Sequence, residues 1–227
     1  MTDEALSTSA ASEFRLEEDE QRIVIDAASL RLTFLKAGER WVHVLEIAEL
    51  GTDSGFREVA QTVESEIEGG DPTRVVSPAY QEIQIQPMAG GVRLLLTGQL
   101  TPHHFSAVLT VSREGDGIVV EFDVADRCRG PILALASTYL IPLGSGALID
   151  ANASHVVWGG ESLGHGQLEF ITLQSGTTAL AEAGRRGARV QALAPLATAT
   201  ATQRLLYRWR WTPATSTKNR RIAEAIP

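Results

Sequence analysis

FSAVLTVSREGDGIVVEFDV, residues 105–124, is the stretch of sequence that decides the fold. In each half of it, apolar residues occupy every second position, which is the period of a half-buried β-strand. The halves are joined by EGDG, residues 114–117, whose glycines allow the positive φ that a tight turn requires. The stretch therefore predicts a β-hairpin.

The length of the turn sets the register of this hairpin. A two-residue loop at Gly115 and Asp116 places Val111 opposite Val120, and a loop one residue later shifts the pairing by two residues. Either loop keeps the apolar faces together, because only a one-residue slip inverts a strand. The residues predicted to face the core are Leu109, Val111, Val120 and Phe122. The residues predicted to face outward or into a cleft are Thr110, Ser112, Glu121 and Asp123.

Strand patterns recur along most of the chain. Hairpins are predicted over residues 30–47 and 75–97, an apolar central strand over 132–140, and a closing strand over 205–211. Residues 57–67 fit a short helix, a strand or a long loop. About a dozen strands at this spacing are typical of an all-β protein. We predict a large antiparallel β-sandwich in a single domain.

Composition suggests where this domain begins and ends. Residues 1–20 are rich in Ser, Ala and acidic residues, which predicts a disordered or loosely attached segment with order beginning near Arg22. The β-sandwich domain is expected over residues 21–213, followed by a polar tail over 214–227. A chain of 227 residues can bury a sizeable core.

Charge and composition make several classes of function less plausible. The net charge of −8 and the pI near 5.2 argue against a nucleic-acid or anionic-membrane surface, since both need a concentrated basic face. No apolar run approaches the roughly twenty residues of a membrane helix. The N-terminal sequence has no signal-peptide pattern, so we expect a cytoplasmic protein. Cys128 is the only cysteine, which excludes an intrachain disulfide and a multi-thiolate metal site.

The sequence offers no pattern for a metal or a cofactor. His103 and His104 are adjacent and would point to opposite faces of a strand. None of the five histidines has the i, i+2 spacing expected of a metal centre in a β-barrel. No phosphate-binding loop occurs. We therefore predict neither a metal nor a cofactor.

The most site-like segment is HVVWGGESLGH, residues 155–165. In one interpretation Trp158 is an aromatic platform for a sugar ring, with His155, Glu161 and His165 at its edges, and the glycines let the backbone approach the ligand. In the other, Trp158 covers the core and the glycines only make a wide turn. Both interpretations stay open at this point.

Carboxylates and the closing strand add further candidates. In the closing strand Tyr207, Trp209 and Trp211 share one face, which we expect to be core, and Arg208 and Arg210 share the other. Glycoside chemistry needs two acids across a cleft. The acids on or beside predicted strands are Glu46, Glu82, Glu121, Asp123, Asp150, Glu161 and Glu169.

The order of these elements resembles the galactose mutarotase-like β-supersandwich, found in aldose epimerases and polysaccharide-active enzymes. The resemblance is carried by LTF (32–34) with GERWVH (38–43), by the hairpin with the apolar strand at 134–141, and by YRWRW (207–211). It implies a concave, sugar-sized face. The Asn-His-Pro-like element and the late Glu-Pro glutamate of the family's enzymes are absent, so the resemblance implies no catalytic residue here.

Three hypotheses of function follow. The leading one is a carbohydrate-binding protein without catalysis, whose ligand is a sugar or polysaccharide. The second is an aldose epimerase-like or lyase-like enzyme that uses His155 or His165 with Glu161 as its acid–base pair. The third is a non-catalytic interaction or oligomerisation module that uses exposed edge strands. The oligomeric state is left open.

Overall fold

The computed structural model describes residues 14–49, 55–63, 70–175, 177–184, 187–197 and 202–214. Within these ranges the chain forms seventeen β-strands and two short 3-10 helices, and no α-helix. The strands are β1 Phe14–Glu18, β2 Arg22–Ala27, β3 Leu30–Ala37, β4 Arg40–Ala48, β5 Phe56–Thr62, β6 Arg74–Val75, β7 Glu82–Met88, β8 Gly91–Leu100, β9 His103–Glu114, β10 Gly117–Cys128, β11 Ala134–Ile141, β12 Leu148–Ala151, β13 His155–Gly159, β14 Gln167–Thr172, β15 Thr178–Gly184, β16 Gly187–Leu193 and β17 Thr202–Thr212. The 3-10 helices are Ser145–Ala147 and Glu161–Leu163.

The strands form two sheets that pack into one sandwich. The first sheet has the order β1-β2-β3-β4-β5-β11-β16-β15, with β6 beside β11, and the second has the order β12-β13-β14-β17-β10-β9-β8-β7. Every paired strand is antiparallel except β6. The buried apolar side chains of both sheets form one continuous core. The prediction of a large antiparallel β-sandwich in a single domain is confirmed.

The hairpin over residues 105–124 has the predicted register. The turn is formed by Gly115 and Asp116, with Gly115 at a φ of 62°, and Val111 pairs with Val120. The predicted inward side chains are each at most 1% exposed. They are Leu109, Val111, Val120 and Phe122. Because β9 and β10 pair over their full lengths, this hairpin lies near the middle of the second sheet and positions the residues on both of its faces.

The other hairpins and the central strand are also present. β3 pairs with β4 and β7 with β8 around the predicted turns. β11 lies between β5 and β16, and its residues 135–139 are buried on both faces, as expected of a central strand. In residues 57–67 the described part forms strand β5 and not a helix, and residues 64–69 lie outside the described residues.

The first strand lies inside the segment that the sequence predicts to be loosely attached. β1 begins at Phe14, eight residues before Arg22, and pairs with β2 at the edge of the first sheet. Edge pairing relies on backbone hydrogen bonds, so the exposed and mostly charged residues after Phe14 are compatible with it. Residues 1–13 and the tail from 215 onward lie outside the described residues. None of the described residues forms a helix long and apolar enough to cross a membrane.

Candidate functional site

Trp158 lies in the core of the sandwich. On β13, Val156 and Trp158 point inward, while His155 points outward. Trp158 is 1% exposed, and its ring centroid lies 6.0 Å from that of Trp209. Both faces of the indole are therefore covered by protein, which corrects the interpretation of this ring as a platform for a sugar.

Glu161 and His165 lie in the loop that follows β13. Both side chains are exposed, and the His165 N–H donates to the Gly160 carbonyl at 2.9 Å with His165 at a φ of 64°. His155 begins β13 and this loop follows its last residue, so about five residues of extended chain, roughly 16 Å, separate them. The structure does not bring His155 together with Glu161 or His165.

The partner of His155 is Glu169 on the neighbouring strand β14. His155 Nε2 lies 2.9 Å from Glu169 Oε2, with 32% of the histidine side chain and 13% of the carboxylate side chain exposed. Arg210 Nε on β17 lies 4.0 Å from Glu169 Oε1. A histidine, a carboxylate and a guanidinium are thus adjacent on the outward side of the second sheet.

Strand registers extend this group into a continuous surface. Across the sheet from β9 to β13, one row of directly paired residues runs through Thr110, Glu121, Arg208, Ile171 and His155. The next row runs through Ser112, Val119, Arg210, Glu169 and Val157. These two rows are called the polar face below. All ten of their residues are half-buried or buried, although they lie on the side of the sheet away from the core.

Part of the hydrogen-bonding capacity of the polar face is unused. Arg208 Nη1 donates to Glu114 Oε2 at 2.9 Å. Neither Glu121 nor Arg210 makes a hydrogen bond through its side chain to any other residue that the structure describes, and the same holds for the hydroxyls of Thr110 and Ser112. Donors and acceptors that are partly shielded from water and unpaired within the protein are available to a ligand.

Beside the polar face, Arg204 forms a bidentate pair with Asp123, with N–O distances of 2.7 and 2.6 Å. The hydrogen bonds that Arg204 donates to Asp123, and the negative charge of that carboxylate, raise the pKa of Arg204. This pair is largely exposed, so we expect it to contribute little to stability. It does fix the Asp123 carboxylate, leaving Glu121 as the unpaired acid of β10.

The sequence points to the charged members of the polar face without grouping them. Glu121 and Glu169 were among the candidate acids, and Arg208 and Arg210 were assigned to the face opposite the aromatic row of β17. They meet because β17 lies between β10 and β14. The only local signal for the surface is the alternation of polar residues on each of these strands.

A second histidine–carboxylate pair is wholly buried and structural. His103 Nδ1 lies 2.7 Å from Asp126 Oδ2, and His103 Nε2 lies 2.6 Å from the Pro72 carbonyl oxygen. Because a carbonyl only accepts, Nε2 is the donor. Burial raises the pKa of Asp126 and the hydrogen bond from His103 opposes that rise. The pair holds the segment before β6 against the second sheet. His104 is exposed on the other face, as the alternation predicts.

Glu161 belongs to a separate cleft of about 350 Å³ at one end of the sandwich, called the end cleft. Arg57 also lines it, donates to the Ser162 carbonyl, and has its Nε 3.9 Å from Glu49 Oε1. Trp211 forms part of the wall and donates from Nε1 to Ser29 Oγ at 3.0 Å. The charged groups of this cleft are therefore partly paired with each other.

Within the described ranges, no three residues of the types His, Cys, Asp and Glu are grouped closely enough to hold a metal ion. Cys128 is buried, and its Sγ accepts a hydrogen bond from the Gly130 N–H at 3.4 Å. These residues thus offer no basis for proposing a metal or thiol site.

The sequence matches no protein-family profile and no curated protein. Among solved structures it is similar to the crystal structure of a 4-alpha-glucanotransferase from Thermococcus litoralis, with 11% sequence identity and a TM-score of 0.46. The match covers 89% of this chain and 40% of that chain, so this chain spans less than half of that protein.

Proposed function

We propose that the protein binds a neutral, hydroxyl-rich ligand of the carbohydrate class on the polar face, without catalysis. The observation that carries the proposal is that Glu121 and Arg210 are half-buried, and that neither their side chains nor the hydroxyls of Thr110 and Ser112 make a hydrogen bond to another described residue; Arg210 has only its long ion-pair contact with Glu169. A sugar hydroxyl both donates and accepts, so it can pair with a carboxylate and a guanidinium at the same time.

Apolar side chains within and beside the polar face suit the other part of a sugar ring. Val119, Ile171 and Leu206 point to the same side of the sheet as Glu121, and Val119 is only 4% exposed. The C–H face of a pyranose can pack on such aliphatic groups while its hydroxyl edge reaches the charged groups. Aliphatic packing would then replace the aromatic stacking that the sequence suggested for Trp158.

The charges of the polar face favour a neutral ligand over an anion. Glu121 and Glu169 lie among the guanidinium groups, and Asp123 is beside them. A nucleic acid or polyanion on this surface would bring its charges close to these carboxylates, which costs binding free energy. A polyol has no such penalty.

One contact favours the epimerase-like or lyase-like enzyme as a second candidate. The half-buried His155–Glu169 pair has the hydrogen bond expected between a catalytic histidine and the acid that orients it. His155 would then act with Glu169 and not with Glu161. The test is turnover of a bound sugar, which Glu169→Gln should abolish without abolishing sugar binding. Absence of turnover in the wild-type protein removes this candidate.

The interaction-module hypothesis has less support. Two of the four edge strands argue against it, since β1 is short and mostly charged and β7 contains Pro87. Both features hinder pairing with a strand from another chain.

The experiment is a glycan array with the full-length chain, followed by isothermal titration calorimetry of each ligand found. Glu121→Ala and Arg210→Ala should each weaken binding at least tenfold, the effect of losing about 1.4 kcal/mol. Glu17→Ala and Arg15→Ala, which change an exposed ion pair on the other sheet, are the matched controls and should bind as the wild type does. A ligand that binds all four variants equally would contradict the proposal.

A further inference from the structure

We propose that a narrow cleft between the two sheets is a second binding site, which takes the hydroxyl group of a small neutral molecule and leaves its apolar part at the rim. This inter-sheet cleft is lined by strands of both sheets and by the segment that links β6 to β7. Among its lining residues are Trp41, His43, Ser77, Tyr80, Ser137 and Tyr139. It shares no residue with the polar face.

The floor of the inter-sheet cleft is a chain of hydrogen bonds that crosses from one sheet to the other. His43 Nε2 lies 2.9 Å from the Tyr139 hydroxyl, which lies 2.8 Å from the Tyr207 hydroxyl. All three side chains are at most 3% exposed. Since each hydroxyl can donate or accept, the direction of the chain can reverse, so the cleft can present either a donor or an acceptor.

Ser137 also lines the inter-sheet cleft and is 3% exposed. It lies close enough to Tyr207 to oppose the rise that burial causes in the pKa of that tyrosine. Its Oγ nevertheless has no partner with hydrogen-bond geometry among the residues that the structure describes. An unpaired buried hydroxyl destabilises the folded state, because it has lost its hydrogen bonds to water without replacing them. A small shift of Ser137 toward a hydroxyl-bearing ligand would recover part of that free energy.

The size of the inter-sheet cleft limits what can enter it. The cleft leaves about 40 Å³, which is more than one water requires but far below the roughly 300 Å³ of an ordinary ligand pocket. A terminal hydroxyl fits, whereas a sugar ring does not. The rim is half-buried and largely apolar, with Ala37, Trp41, Val63 and Pro78, and this rim can cover the remainder of an alcohol or a phenol.

The floor carries no charge at neutral pH, which sets the charge of the ligand. Burial lowers the pKa of His43 to about 3. Burial also raises the pKa values of Tyr139 and Tyr207 well above the neutral range. Arg40 at the rim is half-buried and already interacts within the chain. An ionic group pushed into the cleft would therefore lose its water shell without meeting a counter-charge on the floor.

The test measures binding of three matched probes to the full chain by ¹⁵N-edited NMR titration near pH 7. Phenol carries the hydroxyl, toluene replaces it with a methyl group, and benzoate replaces it with a charge. We expect phenol to bind at least tenfold tighter than either of the others, with shifts at the lining residues. Ala37→Phe should block the rim and weaken phenol binding at least tenfold. Ala48→Phe, the same change at a half-buried strand end that lines the end cleft, should leave phenol binding within twofold of wild type.

A crystal soaked with phenol supplies the second measurement if Ala37→Phe does not fold. We expect the phenol oxygen within hydrogen-bond distance of Tyr139, Tyr207 or Ser137. Density for water alone, equal affinities for phenol and toluene, or unchanged binding by a folded Ala37→Phe protein would each overturn the inference. Glu121→Ala should not change phenol binding, so the outcome is independent of the sugar-binding proposal.

Discussion

Acidification should destabilise this protein through His43. The imidazole is fully buried, with ring centroids 5.2 Å from Phe34 and 5.1 Å from Phe122. Burial lowers its pKa from the ordinary 6.5 to about 3. The folded state therefore binds fewer protons than the unfolded state between these values, and stability that is present above pH 6.5 is lost as the pH falls toward 3.

The expected magnitude follows from that difference. Each pKa unit corresponds to about 1.4 kcal/mol. Between pH 7 and pH 5 the unfolded histidine becomes protonated while the buried His43 does not, which lowers the free energy of unfolding by about 2 kcal/mol. Further acidification toward pH 4 should remove about 1.4 kcal/mol more.

Urea denaturation at pH 7, 6 and 5 measures this loss, with His43→Gln compared with the wild type. The variant should be less stable at pH 7, and its stability should fall by about 2 kcal/mol less than that of the wild type between pH 7 and pH 5. His104→Gln, which removes an exposed histidine, is the matched control and should follow the wild type. The other titrating groups are common to these proteins, so their contributions cancel in the comparison.

Parallel stability curves for the wild type and His43→Gln would refute this reasoning. So would a ring titration of His43 with a midpoint near 6.5 in the folded protein. Either result would mean that water or a counter-charge reaches the imidazole. The claim that the floor of the inter-sheet cleft is uncharged would then be wrong.

Three substitutions and one control test the packing at single positions, each by chemical denaturation. Trp158→Ala should lower the free energy of unfolding by about 3–5 kcal/mol, because the ring is in the core, and should leave the sugar affinity of the folded protein unchanged. His103→Gln should cost about 3–5 kcal/mol, because it leaves Asp126 buried without its partner. Gly98→Ala should prevent folding, because its Cβ would lie 1.8 Å from a backbone oxygen, whereas Gly144→Ala, which would meet no atom within 4 Å, should be neutral. Little change in the first three variants would contradict the burial assigned to these positions.

Local patterns predicted the hairpins and the sandwich because alternation and turn residues act within a few positions along the chain. The register of β9 and β10 followed from the two-residue turn at Gly115 and Asp116. Edge strand β1 was missed because its pairing depends on backbone groups, and only Phe14 among its residues is half-buried. Composition alone predicted a loose segment there.

The candidate site was harder to predict, because strand alternation separates residues that are neighbours in sequence. His155 and Trp158 are three positions apart on one strand, which places them on opposite faces of the sheet. Grouping them as one site overlooked this parity. The partner of His155, Glu169, is fourteen residues away, and Arg210 is further still. Their proximity depends on which strands pair, and the local pattern does not specify that.

The position of a bound glycan is the most direct test of the central claim. A ¹⁵N-labelled full-length chain is titrated with a neutral oligosaccharide identified on the array. The account predicts chemical-shift changes at the outward residues of β9, β10, β17 and β14, with Glu121 and Arg210 among them, and their loss in the Glu121→Ala/Arg210→Ala double variant. Shifts confined to the loop at 160–166 or to the end cleft, or no glycan binding on the array, would contradict it.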